Sequence, residues 1–207
     1  MDDKAGKPVQ ESKGVEASYT LWARRMVEAA TRRPGANLLF DNSVQEPIGL
    51  LRECIAEAFG DGFGGYYRSA FSHGNPVVLD ALAQRYGLSR DSILCTTGAS
   101  NGLALVFQAL LSPGDEVLIE CPYFDLLSSL ALAQRASVKR VPRRRDFELD
   151  VAALEAAITP STRLIVLTDL HNPSGTRLSD DTLQSLAVLA ARTGVAVLVP
   201  DSRTLLD

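Results

Sequence analysis

Residues 163–175 read Arg-Leu-Ile-Val-Leu-Thr-Asp-Leu-His-Asn-Pro-Ser-Gly, and this stretch is the most informative part of the chain. It begins as a short apolar run, which is typical of a strand buried on both faces of a parallel sheet. The run stops abruptly because Pro173 fixes its own φ and favours an extended Asn172, while Gly175 permits a sharp exit. We therefore expect the Asn172 amide at the carboxyl end of a strand, where open α/β sheets bind ligands. Taken alone, the same residues fit an ordinary strand-to-helix loop equally well.

A second strand end is predicted within residues 93–102, Ile-Leu-Cys-Thr-Thr-Gly-Ala-Ser-Asn-Gly. The pattern indicates a strand at 92–96 and a helix that opens with Ala99 and Ser100. Amides in the first turn of a helix lack intrahelical acceptors and carry the positive end of the macrodipole, so this segment is a candidate phosphate cradle. It has neither the lysine of a GxxxxGK[ST] loop nor the spacing of GxGxxG. The alternative is that Ser100 is a plain helix N-cap.

A third strand end follows at Cys121-Pro122-Tyr123-Phe124, after a predicted strand at 116–120. Aromatic residues at such a position more often pack in the core than stack on a cofactor. Together, however, the three strand ends offer a phosphate anchor, a flat apolar surface and a hydrogen-bonding amide. Those are the requirements of a planar, phosphorylated, aromatic cofactor.

In order and spacing these motifs resemble the class I/II aminotransferases, fold-type-I enzymes that use pyridoxal 5′-phosphate. The resemblance covers residues 38–200. It implies that Ala99 and Ser100 bind the cofactor phosphate. It also implies that Phe124 stacks on the pyridine ring, with Tyr123 as the second candidate, and that Asn172 bonds the phenolic oxygen of the ring.

Two further segments are compared with the family. Residues 74–83 are similar to its Gly-x-Pro-x-Leu-Arg-x-Ala-(Leu/Ile)-Ala stretch, with Leu79 where arginine is usual. Family members often carry a tyrosine that reaches the cofactor phosphate of the neighbouring subunit. Tyr67, after the glycine-rich segment 60–65, is the candidate for that role, with plain packing as the alternative.

The sequence departs from the family after residue 199. The usual Asp-Glu-x-Tyr is replaced by Asp201-Ser202-Arg203-Thr204, one residue late. Asp201 matches the aspartate that pairs with the pyridine nitrogen, whereas Thr204 replaces the tyrosine. No motif with the Schiff-base lysine appears, so no catalytic residue is assigned. This abrupt departure suggests a truncation or a frameshift, leaving an N-terminal half.

The resemblance implies an aminotransferase that moves an amino group between an amino acid and a 2-oxo acid. It further implies a cytoplasmic enzyme of amino acid metabolism, which in the full-length family is a homodimer. Without the lysine, we expect the 207-residue chain to be inactive. The alternatives are a non-catalytic fragment or binding module of the same fold, and a pyridoxal-phosphate-dependent lyase or decarboxylase.

Bulk composition argues against several other functions. The chain is 46% hydrophobic and 22% charged, which is typical of a soluble globular protein. A net charge of −4 argues against a nucleic-acid partner, and the basic cluster of Arg140 and Arg143–Arg145 is interpreted as a solvated loop. The three cysteines form no CxxC and indicate reduced, buried thiols. The two histidines are far apart, so no metal site is predicted. No apolar run is long enough to span a membrane, and the N-terminus does not read as a signal peptide.

From residue 75 onward, short apolar strands alternate with amphipathic helices. This alternation predicts an α/β fold with a largely parallel sheet covered by helices on both faces, after a helical N-terminal segment. Two domains are predicted: residues 1–45, an arm and helix of the small domain, and residues 46–207, an incomplete large domain that binds the cofactor. The remaining strands are predicted at 137–142, 163–168 and 195–199. The helices are predicted at 18–33, 47–59, 76–86, 99–111, 123–134, 150–158 and 179–193.

Overall fold

A computed structural model describes residues 18–33, 35, 45–60 and 71–200. Two of the predicted cofactor contacts, Tyr67 and Asp201, lie outside the described residues, as does the predicted extended segment at 37–40. Their roles stay predictions.

The described part of the chain contains a four-stranded parallel sheet in the order β2-β1-β3-β4. The strands are β1 (Glu116–Cys121), β2 (Ser137–Pro142), β3 (Thr162–Val166) and β4 (Ala196–Leu198). In register, Val117 pairs with Val138 on one side and with Leu164 on the other. Because all four strands are parallel, their carboxyl ends lie along one edge, as predicted.

Seven α-helices lie in the described residues, and four of them cover the two faces of the sheet. The full set is α1 (Ser18–Thr31), α2 (Ile48–Phe59), α3 (Pro76–Tyr86), α4 (Gly98–Leu110), α5 (Leu126–Ala133), α6 (Val151–Ala157) and α7 (Asp180–Thr193). Successive strand residues face opposite sides. Accordingly, Leu118 and Ile165 pack with α6 and α7. Val117 and Ile119 pack on the other face with α4 and α5. The predicted α/β architecture is confirmed.

Helix boundaries follow capping chemistry that is visible in the sequence. Ser179 accepts a hydrogen bond from the Thr182 amide and caps α7, as predicted. Asn75 caps α3 in the same way, and Pro76 occupies its first turn, where no amide partner is lost. α7 ends at Thr193, and its C-cap Gly194 has a φ of +72°, which suits glycine.

The predicted strand at 92–96 is wrong for the described chain. Residues 90–92 form a 3₁₀ turn, and residues 93–96 pair with no described strand. The amide of Cys95 donates instead to the His73 carbonyl, at 2.7 Å. Ile93 has extended backbone angles, with φ −120° and ψ 131°, but a strand also requires a neighbour to pair with.

The chain divides into two compact units. One holds the described residues up to Arg25 together with those from Thr97 to Pro200, and the other holds the described residues between Met26 and Thr96. In the second unit the apolar face of α2 is exposed, and Leu79 is the single buried residue of α3. The predicted boundary at residue 45 stays a prediction.

The structure also bears on the predictions for the cysteines, for membrane-spanning segments and for metal sites. Cys54 and Cys95 are exposed, and Cys121 is half-buried, so the expectation of buried thiols is wrong for the first two. Among the described residues, no helix is both long and apolar enough to cross a membrane. The same residues contain no cluster of three or more His, Cys, Asp or Glu side chains suited to a metal ion.

Candidate functional site

The loop that follows β3 carries Asn172 and is fixed by its own hydrogen bonds. The His171 amide donates to the Thr176 carbonyl at 2.9 Å, and the Gly175 amide donates to the His171 carbonyl at 2.7 Å. The buried carboxylate of Asp169 accepts from the Leu178 amide at 3.1 Å, which closes the base of the loop. The Asn172 side chain is exposed. A rigid loop therefore presents this amide at the carboxyl edge of the sheet.

A buried histidine joins this loop to the loop after β1. His171 is 1% exposed, and its Nε2 lies 2.8 Å from the Pro122 carbonyl oxygen. A carbonyl can only accept, so Nε2 carries a proton; in the neutral imidazole, Nδ1 then accepts from the Ser174 hydroxyl at 2.6 Å. The two strand-end loops are thereby held side by side.

A buried ion pair lies beneath the same two loops. The carboxylate of Glu120 and the guanidinium of Arg143 are both fully buried. Nε of Arg143 donates to Oε2 at 2.7 Å, while Nη2 lies 2.6 Å from that oxygen, close enough for ion pairing but outside hydrogen-bond geometry. Nη1 donates to the Phe147 carbonyl at 2.7 Å. The expectation that Arg143 belongs to a solvated loop is therefore wrong.

The second oxygen of Glu120 reaches the Asn172 loop. Oε1 accepts from the amide and from the hydroxyl of Thr168, at 2.6 and 2.7 Å. The Thr168 hydroxyl accepts in turn from the Asn172 amide at 3.0 Å. A chain of hydrogen bonds thus connects the end of β1 to the backbone of Asn172.

The two aromatic candidates after β1 have different surroundings. The Tyr123 hydroxyl accepts from Nε of Arg140 at 3.2 Å, and the guanidinium lies 5.7 Å from the ring centroid. Tyr123 also packs against the core on the α4 and α5 face. Phe124 is half-buried and contacts the ring of Tyr19 edge-to-face, with centroids 5.5 Å apart. Tyr123 is thus committed to packing, which leaves Phe124 as the better stacking candidate.

The first turn of α4 holds the predicted phosphate contacts Ala99 and Ser100, both exposed. Thr97 occupies the N-cap position and makes no side-chain cap, so the alternative of Ser100 as the N-cap is wrong. Gly98 has a φ of +75°, and an added Cβ there would meet nothing within 4 Å. α4 packs on the sheet and leads into β1 after five residues. It therefore runs back along the strand, with its first turn towards the carboxyl edge.

Hydrogen bonds bring the Phe124 and Asn172 loops together, whereas no described side chain bonds either loop to Ala99 or Ser100. Four residues of this hydrogen-bond network are not predicted as site residues from the sequence: Glu120, Arg143, Thr168 and His171. The sequence does contain one indication of this network. Glu120 lies on the same face of β1 as Leu118, which packs with α6 and α7. A carboxylate buried there requires a cationic or hydrogen-bonding partner.

A shallow groove of about 370 Å³ lies elsewhere, between α6 and α7. Glu155 and Arg192 line it and pair with each other at 2.5 Å across largely exposed side chains. It lies on the face of the sheet opposite α4 and holds none of the predicted site residues.

Comparison with known proteins identifies relatives of the chain. The family model described as aminotransferase class I and II matches residues 43–201. A Mycobacterium tuberculosis protein named "Probable N-succinyldiaminopimelate aminotransferase DapC" is 35% identical over 135 residues, covering 61% of this chain and 34% of the relative. A histidinol-phosphate aminotransferase of Dehalococcoides mccartyi is 30% identical over 114 residues, covering 55% and 32%. The chain spans about a third of the length of these curated relatives.

Solved structures show the same fold. The N-succinyldiaminopimelate aminotransferase of M. tuberculosis superposes with a TM-score of 0.70 at 27% identity, covering 86% of this chain and 48% of that one. The aspartate aminotransferase of Rhizobium meliloti gives a TM-score of 0.71 at 27% identity, covering 94% and 51%.

Proposed function

The chain belongs to the class I and II aminotransferases, and we propose that its carboxyl-edge site binds pyridoxal 5′-phosphate for amino transfer between an amino acid and a 2-oxo acid. Enzymes of this family use that cofactor. One observation carries the proposal: the loops that hold Phe124 and Asn172 are bonded to each other through His171. A stacking ring and a hydrogen-bonding amide therefore share one edge of the sheet.

The residues present fit the cofactor group by group. The uncapped first turn of α4, with Ala99 and Ser100, supplies amides and a positive dipole end for the phosphate. Phe124 supplies the apolar face. The exposed Asn172 amide supplies one hydrogen bond, worth about 1 kcal/mol, to the phenolic oxygen. Asp201 and Tyr67 complete the proposed contacts.

When bound, pyridoxal phosphate supplies an electron sink for the charge that develops at the substrate α-carbon. The described residues bind and orient it, and we assign none of them to proton transfer. Lys139 is the one lysine among them, and its Nζ donates to the Ala157 carbonyl at 2.7 Å on edge strand β2. We therefore propose that the 207-residue chain binds the cofactor reversibly and has no transaminase activity. The binding-module alternative predicts the same result, whereas nothing described favours the lyase or decarboxylase.

Calorimetric titration with pyridoxal phosphate tests the binding site. Ser100→Glu places a carboxylate beside the phosphate, so we expect affinity to fall about tenfold. Ser185→Glu is the matched control. It makes the same change at an exposed helical serine on α7, across the sheet, and should leave affinity unchanged. Equal affinities in the two variants would mean that the cradle is not at Ser100.

Borohydride reduction tests the absence of a covalent link. After incubation with the cofactor, the protein is reduced, digested and mapped by mass spectrometry while turnover is assayed in parallel. We expect scattered low-level adducts and no turnover. A stoichiometric adduct on one lysine, together with measurable amino transfer, would contradict the proposed inactivity.

The predicted homodimer is kept as a proposal with its own support. Ile48, Leu51 and Ile55 are exposed on α2, and such apolar surface favours association. Sedimentation of the wild-type chain and of Leu51→Glu tests it. We expect the substitution to shift the protein towards monomer, and an unchanged distribution would exclude this face.

A further inference from the structure

We infer that Thr168, held by the buried Glu120–Arg143 pair, is a positioning residue that fixes Asn172 before any ligand binds. The inference rests on the proposed function, because it concerns how the proposed cofactor contact is oriented. Thr168 acts through the backbone of Asn172 and is not assigned a contact of its own with the cofactor.

The direction of each hydrogen bond is determined. Both oxygens of the Glu120 carboxylate accept hydrogen bonds, Oε2 from Arg143 and Oε1 from Thr168, so the Thr168 hydroxyl donates to Oε1 at 2.7 Å. The hydroxyl oxygen then has a lone pair directed elsewhere, and the Asn172 amide lies 3.0 Å from it. The Thr168 amide donates to the same carboxylate oxygen at 2.6 Å, which fixes the Thr168 backbone as well.

The cationic partner matches the charge of the Glu120 carboxylate in the core. Both side chains of the pair are fully buried, and removing a carboxylate from water is costly unless its charge is matched. Replacing such a pair by apolar residues is often neutral or stabilising, so stability alone gives no reason for it. The pair lies under the Asn172 loop and orients the Thr168 hydroxyl, which gives a structural reason for its presence.

Valine matches Thr168 in shape but has no hydroxyl, so it cannot form the hydrogen bonds that order the loop. Thr168→Val keeps the volume and the branched Cβ while it removes the acceptor of the Asn172 amide. Thr168→Ser keeps the hydroxyl and is the matched control. Thr168→Ala is a second hydroxyl-free variant that serves if the valine variant fails to fold.

A double-mutant cycle on the full chain separates positioning from general damage. Cofactor affinity is measured by calorimetry with pyridoxal phosphate in wild type, Thr168→Val, Asn172→Ala and the double variant. We expect Thr168→Val to weaken binding about fivefold, the effect of one lost neutral hydrogen bond. The same substitution should have little effect once Asn172 is alanine, and Thr168→Ser should bind like wild type. Equal losses in both backgrounds would overturn the inference.

Hydrogen exchange gives a second readout that does not depend on the cofactor. Without ligand, the Asn172 amide should exchange at least tenfold faster in Thr168→Val than in wild type or Thr168→Ser, since its acceptor is gone. Unchanged exchange would refute the positioning role. If the wild-type chain binds no pyridoxal phosphate while the exchange result holds, the proposed function fails and the orientation of the loop stands.

Discussion

The two sides of the candidate site are built in different ways. The loop after β3 is held by buried side chains from distant parts of the chain, among them Glu120 and Arg143. The first turn of α4 is exposed, has no side-chain cap and depends only on local helix geometry. The β3 loop is therefore held rigid by tertiary contacts. The first turn of α4 instead presents the positive end of the helix dipole whenever the helix forms.

This contrast has an energetic consequence. A loop that is already ordered loses little conformational freedom when a ligand arrives, so its contacts contribute more fully to affinity. The first turn of α4 offers charge complementarity to an anion but is not ordered by such buried side-chain contacts. Substitutions that act on stability should therefore affect the β3 side strongly and the α4 side weakly.

The largest expected effect comes from breaking the buried pair. Glu120→Leu leaves the Arg143 guanidinium buried without its counter-charge, which should lower the free energy of unfolding by about 3–5 kcal/mol. Urea unfolding measures this loss. The double variant Glu120→Leu with Arg143→Met should recover most of it, because both charges are then gone. A single variant within about 1 kcal/mol of wild type would show that the pair is not buried as described.

The next effect tests the link between the two loops. His171→Ala removes the donor to the Pro122 carbonyl and the acceptor for Ser174, and we expect a loss of about 2 kcal/mol in the free energy of unfolding. The exposed His73 offers a matched control, since His73→Ala should stay within about 0.5 kcal/mol. Thermal unfolding of both variants decides the point, and equal losses would argue against the link.

Helix caps provide a smaller and more local comparison. Ser179→Ala removes the side-chain cap of α7 and should cost about 1 kcal/mol. Thr97→Ala, at the start of α4, removes no side-chain cap and should cost little. If chemical denaturation showed a larger loss for Thr97→Ala than for Ser179→Ala, the first turn of α4 would have a side-chain cap after all.

The sequence predicted the local features of this fold well. Period and capping signals placed β2 at its observed bounds and Ser179 at the start of α7, because both depend on neighbouring residues. The strand at 92–96 failed because pairing depends on a partner that local pattern does not specify. Arg143 was misjudged for the same reason. Its neighbours are exposed arginines, and only the fold brings Glu120 to it.

The smallest effect concerns acid stability. The amide of Ala153 donates to Asp150 at the start of α6, and this bond, with help from Arg144 and against some desolvation, lowers the pKa of Asp150 below its ordinary value. A lowered folded-state pKa stabilises the fold above the unfolded pKa of about 3.9, and that contribution is lost as pH falls through the folded pKa. The melting-temperature advantage of wild type over Asp150→Asn should therefore shrink on acidification from pH 5 towards the folded pKa. A constant difference over that range would contradict the sign.

The most direct measurement is amide hydrogen exchange of the 207-residue chain with and without saturating pyridoxal phosphate. We predict that the amides of Ala99 and Ser100 gain protection when the cofactor binds, because the phosphate becomes their acceptor. The Asn172 amide should be protected before the cofactor is added and change little, while α7 should not respond. Protection that appears on α7 and not at Ala99 and Ser100 would contradict the proposed site.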